Sequence, residues 1–235
     1  MSTPSVVLEE PLFLVVSKPA GMHTAPLERG EAGTLVAWVL ERYPEISDLP
    51  GRKSIEPGLL HRLDRDTSGL VLFARTDAAF RAIMAAAEAG TFHKYYAALC
   101  ERSLILPPGL RELLPEPSPP CSISSGFRAY GPGRRYVTVS EPVRPEGRYE
   151  TEILSKAPHG PETGTLEVKV SLARGFRHQV RVHLAASGLP ILGDRLYGTG
   201  TGAEELQLAA WKLTFPHPSG TGTVEVAGDI PWDRA

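Results

Sequence analysis

The sequence predicts an α+β fold, with a mixed, largely antiparallel central sheet and flanking helices and loops. Three observations predict it. Short Val- and Leu-rich runs recur along the chain, and one of them alternates cleanly with period two. Helical spacing is confined to a few segments, and the connections between strands are short. The 235 residues, 42% hydrophobic and 22% charged, suffice for one substantial core or two small ones, and residues 1–235 are expected to form a single domain.

Val6 to Leu8 and Leu12 to Val16 read as two short strands, and Lys18-Pro19-Ala20-Gly21 turns the chain after them. Thr34 to Tyr43 fits a helix, with Leu35, Trp38, Val39 and Leu40 apolar. Leu70 to Ala74 is a strand. Asp77 caps a helix running to about Glu88, with Phe80, Ile83, Met84 and Ala87 on one face and Gly90 at its end. Tyr95 to Leu99 resumes strand character. Residues 103–135 read as an irregular excursion: Leu106 to Pro120 holds six prolines, and Gly131 to Arg135 is Gly, Pro and Arg. Tyr136 to Val139, Tyr149 to Leu154 and Thr165 to Leu172 are strand-like. Arg177 to Ser187 suits a helix stopped by Gly188 and Pro190. Leu206 to Phe215 and Val224 to Val226 close the chain as strands.

A formal net charge of −2 does not indicate a globally basic nucleic-acid binder. Charge is uneven, however. From Val168 to Ala185 there are Lys169, Arg174, Arg177 and Arg181 and no acid, a local balance suited to phosphate. No window reaches membrane-spanning length, and the start lacks a basic segment followed by a long apolar run, so a cytoplasmic protein is expected. Cys100 and Cys121 lack metal-ligand spacing and are expected to be free thiols.

Three segments carry chemistry. His61-Arg62-Leu63-Asp64-Arg65-Asp66 packs two carboxylates, two arginines and a histidine ahead of the apolar run Leu70 to Ala74. Charges beside a buried strand are costly unless paired or used. Asp64 suits a nucleophile or general base. Asp66, two residues on, faces the opposite way in an extended chain, and Thr67, Ser68 and Gly69 read as turn chemistry. A surface turn with local ion pairs fits the same residues. In the second segment, Arg174 to His183, Arg177 and Arg181 are four apart, so they are expected to share a helix face. Cations near a helix N-terminus oppose the macrodipole, and a phosphate or partner carboxylate relieves that conflict. A solvated basic face is the alternative. His178 and His183 are five apart with no third ligand, so no metal is expected. In the third, His93 to Ala97, Lys94 and Tyr96 point the same way on a strand. A tyrosine there can stack on a base or move a proton, or pack in the core.

Together and in this order, these segments resemble the RluA family of RNA pseudouridine synthases. His61 to Gly69 matches that family's HRLD-x-x-TSG motif at every specified position. Lys94 to Ala98 resembles its K-x-Y-x-A strand, and Gly175 to Leu184 its G-R-x-H-Q-I-R-x-H-L segment. Lys18-Pro19-Ala20-Gly21, Gly193-Asp194 with Tyr197-Gly198, and Leu213-Thr214-Phe215 with His217-Pro218 also fit. Phe176 departs from the pattern, standing where arginine is usual. The small RNA-binding domain that many relatives carry is not expected ahead of Val6.

The resemblance implies isomerisation of uridine to pseudouridine in ribosomal or transfer RNA, a reaction that requires neither cofactor nor metal; oligomeric state is not legible in the sequence, and a monomer is the expectation. It makes Asp64 the catalytic carboxylate, Arg181 its cationic partner, and Tyr96 the residue against the flipped uracil. His61, Arg62, Lys94, Arg174, Arg177, His178 and Gln179 are the implied RNA-binding set. Two rivals share these residues. A carboxylate glycosidase would use Asp64 with Asp66, and a catalytically inactive RNA-binding or assembly factor would use the fold alone.

Overall fold

The computed structural model describes residues 3–106, 109, 113–141, 147–160, 164–199 and 203–233. Residues 107, 108 and 110–112 of the proline-rich excursion lie outside the described residues. Ten strands are described: β1 (Ser5–Glu9), β2 (Phe13–Lys18), β3 (Ser68–Ala74), β4 (His93–Cys100), β5 (Cys121–Tyr130), β6 (Tyr136–Ser140), β7 (Tyr149–Pro158), β8 (Leu166–Leu172), β9 (Leu208–Pro216) and β10 (Thr223–Ala227). The α-helices are α1 (Leu35–Arg42), α2 (Asp77–Glu88) and α3 (Gln179–Ala186). The chain forms two compact units, Met1–Lys94 with Ala209–Ala235, and Tyr95–Leu208.

In the first unit the strand order is β1-β2-β3-β9, with β10 on β9. All neighbours are antiparallel except β3 and β9, which makes the sheet mixed. Phe13 to Val16 are almost wholly buried, which explains why β2 reads as a continuous apolar run rather than an alternation. Its core joins Phe13, Leu60, Leu72, Phe80, Ile83, Phe92 and Phe215. α2 lays Ala79, Phe80, Ile83 and Ala86 inward. Its cap is Thr76, whose hydroxyl accepts from the Ala79 N–H, and not Asp77 as expected. Asp77 instead pairs with Arg81 one turn on, at 2.9 Å.

Ser68 and Gly69 are not turn residues but the start of β3. Gly69 sits at φ +119, and a Cβ there would lie 2.2 Å from the Ala210 carbonyl oxygen. The parallel approach of β3 to β9 therefore requires glycine.

In the second unit the order is β4-β8-β7-β5-β6. β5 falls within the stretch expected to be irregular. It pairs with β7 over Cys121–Ser125 and with β6 over Gly126–Tyr130, and its sequence signal is weak because serines and glycine occupy much of it. α3 is buried on every side. It begins at Gln179, because His178 adopts the left-handed conformation at φ 60. Arg177 thus precedes the helix and does not share a helix face with Arg181, contrary to expectation.

Candidate active site

Asp64 is half-buried in the loop between β2 and β3, and both its neighbours are clamped. The Thr24 hydroxyl donates to the Leu63 carbonyl at 2.8 Å and accepts from the Leu63 N–H at 3.1 Å. The fully buried Lys18 ammonium donates to the Arg65 carbonyl at 3.0 Å, and to the carbonyls of Pro19 and Met22 at 2.9 and 2.8 Å. Arg65 Nε donates to the Gly21 carbonyl at 3.1 Å, and the Thr67 N–H closes the turn on the Asp64 carbonyl at 3.2 Å. Burial lowers the Lys18 pKa to about 8, against the attraction of Asp64 and Asp66. The turn after β2 is therefore built as a brace for the Asp64 backbone. Asp66 is exposed.

His61 lies inside the core and not at the surface expected for an RNA contact. It is 6% exposed, its ring meets Phe92 edge-on at 5.4 Å, and its Nε2 accepts from the Leu72 N–H at 3.2 Å. The imidazole proton then sits on Nδ1, which finds no hydrogen-bond partner among the described residues. Burial, reinforced by the cations Lys94 and Arg52, holds the ring neutral with a pKa well below the usual histidine value. Lys94 is also buried, its ammonium 4.7 Å from the Phe92 ring centroid, and burial with the nearby Arg52 charge lowers its pKa to about 8. Arg62 is half-exposed and bonds the buried Glu56 carboxylate at 3.2 Å.

In the second unit, Arg181 is 5% exposed and grips Asp194 with two bonds, Nε to Oδ2 at 2.8 Å and Nη2 to Oδ1 at 2.7 Å. This is the partner carboxylate that a cation early in α3 calls for. Asp194 Oδ1 also accepts the N–H groups of Leu196 and Tyr197, which fixes the loop that follows it. The Tyr197 hydroxyl accepts from the Val137 N–H at 2.9 Å and meets His178 Nδ1 at 2.8 Å. Burial, the largest effect, pushes the Tyr197 pKa up to about 12.

A chain of hydrogen bonds seats α3. The Gln179 amide donates to the Glu150 carbonyl at 2.8 Å and to the Thr151 hydroxyl at 3.0 Å, and its carbonyl accepts from the Phe176 N–H at 2.9 Å. Thr151 meets His183 Nδ1 at 2.9 Å, and His183 Nε2 meets the Ser125 hydroxyl at 2.9 Å. Ser125 donates to the Gly126 carbonyl, so the consistent assignment puts the His183 proton on Nε2. Burial lowers the His183 pKa to about 4. Gln179, expected to touch RNA, is thus a buried structural link. Arg174 and Arg177 are exposed; Arg174 lies 5.0 Å from the Tyr149 ring centroid, and Arg177 donates to the Arg134 carbonyl. Phe176 stacks on Phe127 at 5.0 Å and extends the apolar cluster beneath α3. Tyr96 is buried in β4.

Comparison with known proteins matches residues 12–186 to the family described as RNA pseudouridylate synthase. The chain belongs to this family. An uncharacterised RNA pseudouridine synthase of Chloroflexus aurantiacus is 33% identical over 220 residues, covering 92% of this chain and 63% of that relative. Ribosomal large subunit pseudouridine synthase D of Neisseria meningitidis is 28% identical, covering 97% of this chain and 58% of the relative. The chain therefore spans about three fifths of the length of these relatives. The solved structure of human RNA pseudouridylate synthase domain containing 1 superposes with a TM-score of 0.68 at 25% identity, covering 97% of this chain and 84% of that one.

Within this chain, residues given no role from sequence carry much of the architecture. Lys18 braces the Asp64 loop, Asp194 neutralises Arg181, and Tyr197 links His178 to β6. Lys18 had two legible signals, its place in the Lys18-Pro19-Ala20-Gly21 turn and its position as a lone cation just after the apolar run Phe13 to Val16. Among the described residues no group of three His, Cys, Asp or Glu side chains is placed to hold a metal, and no helix is long and apolar enough to cross a membrane.

Proposed function

We propose that this chain is an RNA pseudouridine synthase with Asp64 as its catalytic carboxylate. One observation carries the assignment furthest. In a chain of this family, the aspartate of the HRLD segment is held with both flanking residues clamped, while Asp66 stands exposed. Fixed placement of a reacting group is worth more than its intrinsic basicity. That contrast also disfavours the glycosidase reading, which needs both carboxylates.

In the proposed reaction the bond from ribose C1′ to uracil N1 breaks, the base rotates, and a bond forms from C1′ to C5. The C5 proton leaves and N1 gains one, so atoms balance without oxidation or hydrolysis. Asp64 either attacks C1′ or removes the C2′ proton to give a glycal; both routes need the carboxylate ionised. Tyr96 and Arg181 complete the proposed catalytic set by resemblance, Tyr96 stacking on uracil and assisting loss of the C5 proton. The uridine leaves its stack to react, at a cost of a few kcal/mol. Ribosomal RNA is the favoured substrate class, because the relative from Neisseria meningitidis is named for the large ribosomal subunit.

The test is tritium release from RNA labelled at uridine C5. The wild type is expected to release tritium to water while the base stays in the chain, and Asp64→Asn to release none. Free labelled uracil would point to the glycosidase. Equal tritium release by Asp64→Asn would remove Asp64 from the mechanism.

A further inference from the structure

The turn between β5 and β6 has features that the catalytic reading does not use. From Pro117 to Ser140 the chain has no acidic residue, and it carries Arg128, Arg134 and Arg135. All three arginines are exposed. None forms an ion pair among the described residues, whereas Arg42, Arg75, Arg81, Arg102 and Arg148 all do. The tip is also held in a definite shape. Tyr130 and Tyr136 face each other across the hairpin and stack at 5.6 Å. The Arg134 N–H bonds the Gly131 carbonyl at 2.9 Å, and the Arg177 guanidinium donates to the Arg134 carbonyl.

Arg134 itself sits at φ 53. Among the described residues the other positive-φ positions are glycines, apart from His178. Glycine would occupy this conformation without strain, and Gly133 does so next to it at φ 59. A strained arginine without a carboxylate partner, presented on a braced turn, is explained by an anion it meets.

We infer that the β5–β6 tip is a phosphate clamp, in which Arg128, Arg134 and Arg135 grip the RNA backbone without reading its sequence. The inference rests on the RNA reading above and adds to it a surface remote in sequence from the HRLD segment. Arg177 ties this tip to the segment leading into α3, so the clamp and the expected basic stretch form one support.

The experiment measures binding of a fluorescein-labelled RNA stem-loop with uridines in its loop, across a salt series. Each phosphate that is no longer neutralised by an arginine flattens the slope of log K against log salt by about 0.7–0.9. Arg134→Ala with Arg135→Ala is expected to flatten the slope by about 1.5 and weaken binding at least tenfold near physiological salt. Arg134→Gly is expected to flatten it by about 0.8 while leaving the melting temperature equal or higher, because strain is relieved. A purely structural role predicts a lower melting temperature with the slope unchanged. Arg81→Ala, on α2, serves as the control and is expected to keep the wild-type slope. Wild-type slope in both tip variants overturns the clamp alone. A wild type that fails to bind the stem-loop overturns the RNA reading and the clamp together.

Discussion

Lys18 is the residue whose position says most about how this site is held. Its ammonium is buried yet makes three bonds to carbonyls, one of them beside Asp64. Lys18→Met removes the cost of burying a charge but leaves three carbonyl oxygens without their donor, at about 1–3 kcal/mol for each one left unsatisfied. The expected net result is a loss of about 2 kcal/mol in urea unfolding, with a lower single-turnover rate from a loosened Asp64 loop. A variant as stable and as fast as the wild type would show that the brace is dispensable. His61 teaches the complementary lesson. Its place near Asp64 in sequence suggests a surface role, but it continues the buried run from Gly58 to Leu60 and packs its ring on Phe92. Sequence adjacency ranks these residues as candidates; only packing separates those that face solvent from those that hold the loop.

At the scale of elements, α3 depends on an ion pair that neither pattern nor propensity could disclose. Arg181 and Asp194 are both nearly inaccessible, with side-chain exposures of 6% and 1%. Removing one partner strands a buried charge, which costs about 3–5 kcal/mol. Arg181→Leu and Asp194→Leu are each expected to lose stability in that range. The double variant should lose clearly less than the sum, which denaturant unfolding of the three proteins measures directly. Simple additivity would mean that the two residues act independently.

Elements with alternation or helical spacing are legible: β8 and α2 lie within a residue of their expected bounds. β5 is not, because Cys121–Tyr130 offers only Ile123, Phe127 and Tyr130 as large apolar side chains and is flanked by proline and glycine. The sequence starts α3 two residues early because nothing in it signals a histidine in the left-handed region. The arginine of the second motif is found, but Asp194, a carboxylate that it grips, lies thirteen residues away in a loop with no periodicity.

For the molecule as a whole, the buried neutral histidines set the acid limit of stability. His183 has a pKa near 4 in the folded chain against an ordinary 6.5, and His61 is shifted the same way. Between these values the unfolded chain binds protons that the folded chain excludes. Their contribution is therefore fully present above pH 6.5 and is lost as pH falls toward 4. His183 alone should cost about 2 kcal/mol between about pH 7 and about pH 5. Urea unfolding at the two pH values checks this, and equal midpoints would contradict the neutral, buried assignment.

The chemistry proposed for the chain rests on Asp64, and the most direct measurement is a map of pseudouridine in ribosomal RNA. Three sources of RNA are compared: cells with the wild-type chain, cells lacking it, and cells carrying Asp64→Asn. The expected result is at least one uridine converted in the first and unmodified in both others. Identical maps from all three would contradict the assignment of this chain as an Asp64-dependent RNA pseudouridine synthase.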